Sequence, residues 1–153
     1  LLSKPRAWWD KTKCDDRCKS REWVLKRVYR GHVHSIDITQ IKKDIQDDPD
    51  FIRADKDLYE EILSGVFKNI DSLKQEIESY IDRRYDELSP IELSIIYFSL
   101  YELKYSMSVP YKVVINEAVE IAKTYGGADG YKYINGILNQ AAKANRINEV
   151  KTA

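Results

Sequence analysis

The 153-residue sequence predicts an all-α, single-domain helical bundle of about seven helices. Three observations carry that reading. Apolar residues recur at helical spacing along most of the chain, and nothing reads as strand-rich. Start and stop signals punctuate the pattern at Ser89-Pro90, Val109-Pro110 and Gly126-Gly127. A hydrophobic fraction of 43% beside a charged fraction of 33% suits a globular chain with one real core.

The elements follow in order. A first helix is expected from about Arg17 to Tyr29, with Val24, Leu25 and Val28 inward and Gly31 ending it. A short helix fits Ile38 to Ile45, before a turn at residues 46–50. A long helical stretch runs from about Lys56 to Tyr85, with Leu58, Ile62, Val66 and Ile70 on one face and Leu73, Ile77 and Ile81 continuing it. An Asp-Ser pair is a ready N-cap, so the stretch should break at Asp71-Ser72. Ser89-Pro90-Ile91-Glu92 reads as a capping box opening a helix to about Tyr105. That helix is apolar nearly all round, which puts it in the middle of the bundle. From Pro110, Val114, Ala118, Ile121, Ala122 and Tyr125 make the next face, which Gly126-Gly127 should stop with a left-handed C-cap. Asp129 is placed to cap the last helix, whose stripe is Tyr133, Ile134, Ile137, Leu138 and Ala141. Residues 147–153 lack an apolar stripe and are expected to fray, and residues 1–16, with Trp8-Trp9, to form a flexible extension.

Composition excludes several function classes. No apolar run approaches the roughly 18–20 residues that span a bilayer, and no signal-peptide core is present, so the cytoplasm is the default location and no membrane partner is expected. Cys14 and Cys18 lack the companion ligands of a zinc module; His32 and His34 do not supply the spacing, so no metal and two reduced thiols are expected. No phosphate-cradling glycine loop, nucleophile elbow or His-Glu-x-x-His is present, and adjacent acids such as Glu60-Glu61 diverge on a helix. Neither catalysis nor a cofactor is expected. Residues 1–35 carry ten Lys or Arg against four acids, in a chain of net charge zero. Such segregation points to a basic end that meets a polyanion. Arg17, Lys19, Arg21, Lys26 and Arg27 crowd the first helix, with Tyr29 at its end; cations neutralise phosphates and an aromatic ring stacks on an unpaired base.

Two pairs, Asn116-Glu117 and Asn135-Gly136, sit in helix interiors that Asn and Gly disfavour. A close helix crossing at Gly136 would explain one of them by packing. The wording around both pairs is more specific. VPYKVVINEAVEIAK, an aromatic-Gly turn and YINGIL, between Val109 and Leu138, closely resemble the NusB family of bacterial transcription antitermination factors. IELSIIYFSLYELKY and LYEEILSGV (Leu58 to Val66) resemble the two preceding family helices, and the likeness runs from about Arg17 to Arg146.

The resemblance implies two small antiparallel sub-bundles, three helices and then four, and an RNA-binding domain over residues 17–146. It implies binding to single-stranded boxA-type RNA of ribosomal RNA leaders, together with NusE, a small-subunit ribosomal protein, in an RNA polymerase antitermination complex. Arg17, Lys19 and Arg21 match the family's basic positions and Val28-Tyr29 its Leu-Tyr pair, whereas Cys18 and Ser20 depart from it. Lys26 and Arg27 move charge along the helix. Asp129 matches a position near both the RNA and partner surfaces, Tyr133 matches a family aromatic, and Lys132 should face solvent and reach a phosphate. Glu92 and Tyr111, each following a proline, are candidates for the partner surface on one rim of the C-terminal half. Homodimerisation stays open. Two other readings compete: a NusB-like RNA-binding domain of an rRNA cytosine methyltransferase, and a helical module that binds only proteins.

Overall fold

The structure, a computed structural model, describes residues 16–34 and 56–152. These residues form seven α-helices: α1 (Asp16–His34), α2 (Lys56–Lys68), α3 (Ile70–Tyr80), α4 (Pro90–Tyr105), α5 (Tyr111–Tyr125), α6 (Gly130–Asn145) and α7 (Ile147–Thr152). A 3-10 turn at Tyr85–Glu87 leads into α4, and the described residues contain no strand. The helix expected at Ile38 to Ile45 and residues 1–15 lie outside the described residues. Within them, no helix is long and apolar enough to cross a membrane.

α4 organises the bundle. Every residue from Leu93 to Leu103 is buried, so this helix has no solvent stripe and must be covered on all sides. α1, α2, α3, α5 and α6 all pack on it; α1 also packs on α2, and α5 on α6. The N-terminal and C-terminal groups of helices therefore share one central helix. α2 comes closest at Gly65, where a Cβ would overlap the Tyr101 ring. The close crossing is made there and not at Gly136, which is exposed and has open space where a Cβ would stand.

Several boundaries differ from expectation for identifiable reasons. α1 continues through Gly31, because a helical glycine costs only about 1 kcal/mol and is no stop by itself. The α2–α3 break falls at Asn69, two residues before Asp71; the Asn69 amide donates to Gly65 O (2.8 Å), and Ser72 Oγ donates back to Asn69 O (3.1 Å). Ser89 is the N-cap of α4 without a side-chain bond, so the capping box is not formed. Glu92 instead lies against Gly130, where a Cβ would collide with its carboxylate. Gly126 is extended (φ −88°, ψ 179°) and not left-handed. Glycine fits there because a Cβ would sit 2.7 Å from Ala122 O. Asp129 is the N-cap of α6, again with no side-chain cap bond.

Residues Ile147–Thr152, where no apolar stripe was found, form the short helix α7. Arg146 is buried. Its Nε donates to Leu103 O (2.7 Å) and its Nη2 to Glu102 O (3.1 Å) and Ser106 O (2.9 Å). Nη1 reaches Val109 O (2.9 Å) and the Glu149 carboxylate (2.8 Å). A helix leaves its last carbonyls without intrahelical partners, and one guanidinium serves those of α4 and its following turn. Glu149 then accepts the Tyr111 backbone N–H (2.7 Å), capping α5 from α7. The apolar-stripe test missed this anchor because it is polar.

Glu102 O and Ser106 O also accept the Ser106 and Val109 backbone N–H groups, so loss of Arg146 strands chiefly the Leu103 and Val109 carbonyls, and each buried carbonyl left unpaired costs about 1–3 kcal/mol. Arg146→Ala should therefore lower the unfolding free energy in urea by about 3 kcal/mol or more, and amide exchange along α7 should become fast; a loss below about 1 kcal/mol would show that water replaces the guanidinium. The Tyr111 bond, aided by Arg146, holds the Glu149 carboxyl below the usual range. A folded-state pKa below the unfolded one gives stability that is complete above the unfolded value of 4.5 and is lost as pH falls through the folded value. Urea midpoints measured across that acid window should fall more steeply for wild type than for Glu149→Gln.

Candidate nucleic-acid interface

The basic residues of α1 divide between surface and core. Arg17 and Lys26 are exposed, and Lys19 and Tyr29 half-buried. Lys26 Nζ stands 4.7 Å from the Trp23 ring centroid, a cation–π contact that holds the ammonium at the surface. Arg21 is different: 2% exposed, it donates through Nε to Glu102 Oε2 (2.9 Å) and through Nη2 to Oε1 (2.8 Å). The expectation that Arg21 contacts a phosphate is corrected accordingly. Its spacing was the missed signal, since Arg21, Val24, Leu25 and Val28 form one inward stripe. Glu102, an acid inside the buried face of α4, was the other half. The thiol expectation is corrected as well. Cys18 is disulfide-bonded and no free cysteine remains among the described residues; Cys14 lies outside them. No group of three His, Cys, Asp or Glu among the described residues could hold a metal.

A second cluster gathers at the start of α6. The Tyr131 ring lies between Lys123 Nζ (5.1 Å) and Lys132 Nζ (5.9 Å). Arg83 stands 4.1 Å from the Tyr133 ring centroid, and Tyr133 OH donates to Asp82 Oδ1 (3.4 Å). Lys132 is largely exposed and pairs loosely with Asp129 (3.4 Å), which is itself exposed; such a surface pair is worth about 1 kcal/mol or less and yields to a better anion. Arg83 and Lys123 were missed in the sequence. The Arg83-Arg84 pair between helices was the available signal for the first, and nothing marked the second. Tyr125, last in α5, donates to Glu22 Oε2 of α1 (3.0 Å), and burial followed by that carboxylate pushes its hydroxyl up to about 12. This contact ties the helix of the basic residues to the turn that carries Asp129. The site is thus a set of surface cations and half-buried aromatic rings.

Comparison with known proteins places the chain. A family model described as the NusB family matches residues 19–143. The transcription antitermination protein NusB of Methylobacillus flagellatus is 46% identical over 133 residues, which are 87% of this chain and 86% of that one. NusB of Thiobacillus denitrificans is 42% identical over 134 residues, 88% of this chain and 92% of that one. This chain belongs to the NusB family. The solved T. maritima NusB superposes with a TM-score of 0.77 at 28% identity, covering 88% of this chain and 96% of that chain. NusB from a crystal structure of antitermination factors NusB and NusE with double-stranded RNA shares the fold (TM-score 0.73, 21% identity, 83% and 96% covered). Both relatives are named transcription antitermination proteins.

In this NusB-family bundle the two residues assigned to one partner rim stand at opposite ends. Glu92 abuts Gly130 at the start of α6, beside Asp129. Tyr111 starts α5 and is held by Glu149 beyond the end of α6. The length of α5, about 20 Å at 1.5 Å per residue, separates Tyr111 from the Asp129 turn. Position after a proline fixes a place on a helix and leaves the direction of the helix open.

Arg21→Ala should cost about 3–5 kcal/mol of stability by leaving Glu102 charged and unpaired in the core. Replacing both partners, Arg21→Met with Glu102→Leu, should recover most of that in urea titrations. If Arg21→Ala instead weakens nucleic-acid binding at unchanged stability, the residue is a surface contact.

Proposed function

We propose that this chain is a transcription antitermination factor that binds boxA-type RNA of ribosomal RNA leaders together with NusE, within an RNA polymerase antitermination complex. The observation that carries the RNA reading is the aromatic and cationic cluster at the start of α6, tied to the basic helix α1 by Tyr125 and Glu22. Family membership supports the rest, because the relatives are named antitermination proteins and a NusB of this fold was solved with NusE and RNA. Arg17, Lys19, Lys26 and Lys132 are the phosphate contacts of this reading, and Tyr29 and Tyr133 its stacking or edge contacts. Asp129 and Glu92, at one end of the bundle, form its partner surface; Tyr111 would need a partner that also reaches the other end. Mechanistically the chain is a link: RNA that binds two proteins at once raises the effective concentration of each for the other.

The methyltransferase-domain reading expects relatives much longer than the region matched. The two relatives described are matched over 86% and 92% of their length, which favours the antitermination reading.

The test is equilibrium binding to a short boxA RNA over a range of salt, with and without NusE. Each phosphate contact contributes about 0.7 to the single-strand salt slope. Arg17→Ala with Lys19→Ala and Lys132→Ala should therefore flatten it by about 2, without changing the melting temperature, and NusE should tighten RNA binding. A slope that the triple variant leaves unchanged removes these residues from the RNA surface. No salt-dependent affinity for any RNA would leave a protein-binding module.

A further inference from the structure

The start of α1, the start of α2 and the turn between α4 and α5 surround a cavity of about 250 Å³. Arg17, Arg21, Asp57, Glu61, Ser106 and Ser108 supply its polar lining, and Leu58 and Val109 its apolar walls. It lies against the first turns of α1, away from the α6 cluster. We propose that this cavity receives one unstacked guanine base of the bound RNA, an assignment that rests on the RNA reading above.

Its donor and acceptor chemistry selects the base. Asp57 and Glu61 are four apart on α2 and so share a face. Both are exposed, and neither makes an ion pair or hydrogen bond among the described residues. Arg21 is neutralised by Glu102, which leaves Arg17 facing two carboxylates. That balance repels a phosphate and welcomes a group rich in N–H donors. Guanine alone among the four bases presents two adjacent donors, N1–H and the N2 amino group, to a carboxylate. Adenine and cytosine set an acceptor beside their donor, and the single N–H of uracil is flanked by two carbonyls. Guanine also offers O6 and N7 as acceptors, and the Ser106 and Ser108 hydroxyls are donors to match.

A second observation points the same way. Ser106 is 7% exposed, and its Oγ is buried with no hydrogen-bond partner among the described residues. Buried hydroxyls are nearly always paired, so one left unpaired in a cavity wall suits a ligand that completes it. Size agrees, because pockets for drug-sized ligands run roughly 300–1,000 Å³ and this one is smaller, suited to one base with its sugar and phosphate outside. The backbone would then continue along Arg17 and Lys19 of α1.

The experiment compares a short pyrimidine-rich RNA carrying one guanine with the same RNA carrying inosine, which lacks the N2 amino group, by fluorescence anisotropy. A bidentate base contact discriminates by roughly ten- to a hundredfold, so wild type should prefer guanine by that factor. The double variant Asp57→Asn, Glu61→Gln, with folding followed by thermal melting, should reduce the preference to about onefold. Equal binding of the two RNAs by wild type, or a preference that survives in the double variant, overturns the assignment and leaves the RNA reading standing. Absence of any salt-dependent RNA binding removes both together.

Discussion

Burial of α4 on every side is the constraint from which the rest of the bundle follows. A helix with no solvent face has nowhere to hydrate a charge, yet α4 carries Glu102 within its buried run and presents unpaired carbonyls at its end. Two arginines from distant parts of the chain meet those needs. Arg21 of α1 matches the carboxylate with two hydrogen bonds, and Arg146 after α6 takes the carbonyls. Glu102 is shared by both, through its side chain to one and its backbone to the other. The N-terminal and C-terminal groups of helices are locked to one residue of the central helix, and a register shift in either would strand a charge. Such a pair adds little net stability over an apolar pair but penalises every other arrangement strongly.

The same arithmetic sorts the basic residues. A guanidinium spent on the core is lost to the surface, so the cations open to solvent are fewer than the composition of α1 suggests. Several surface cations, on α1 and elsewhere, rest on aromatic rings: Lys26 over Trp23, Arg83 over Tyr133 and Lys123 over Tyr131, the last two also paired with Asp82 and Glu120. A cation resting on a ring keeps its charge available while losing rotamer freedom before any ligand arrives, which lowers the entropic cost of binding. Trp23 is buried in the core, and Tyr131 and Tyr133 are half-buried against it, so the rings are themselves held in place.

Polar contacts also set the geometry between helices that the sequence pattern leaves free. Glu76 of α3 is held by Lys104 of α4 (2.6 Å) and Asn145 of α6 (2.8 Å), and by Tyr80 of its own helix (2.7 Å). Burial would raise this carboxyl, but these hydrogen bonds together hold it below the usual range. Three helices therefore meet at one carboxylate at the end of α4 where Arg146 also binds. Gly65 against Tyr101 and Gly130 against Glu92 close two further approaches at the places where a side chain would not fit. Between them these contacts hold the α6 corner and the cavity beside α1 in fixed relation.

The sequence by itself determined the helical class, the centrality of α4 and the family wording, because helical periodicity and an all-round apolar helix are local properties that survive in one dimension. It also placed Lys26 and Lys132, whose exposure depends mainly on which side of a short helix they occupy. Only the tertiary structure decided that Arg21 belongs to the core, that Arg146 pins the chain end, and that Glu92 and Tyr111 stand at opposite ends. Each of these depends on a partner tens of residues away: Glu102 for Arg21, the α4 carbonyls for Arg146, Gly130 for Glu92. The physical reason is that burying a charge is unfavourable alone and tolerable when paired, so the fate of an arginine is set by what the fold brings to meet it.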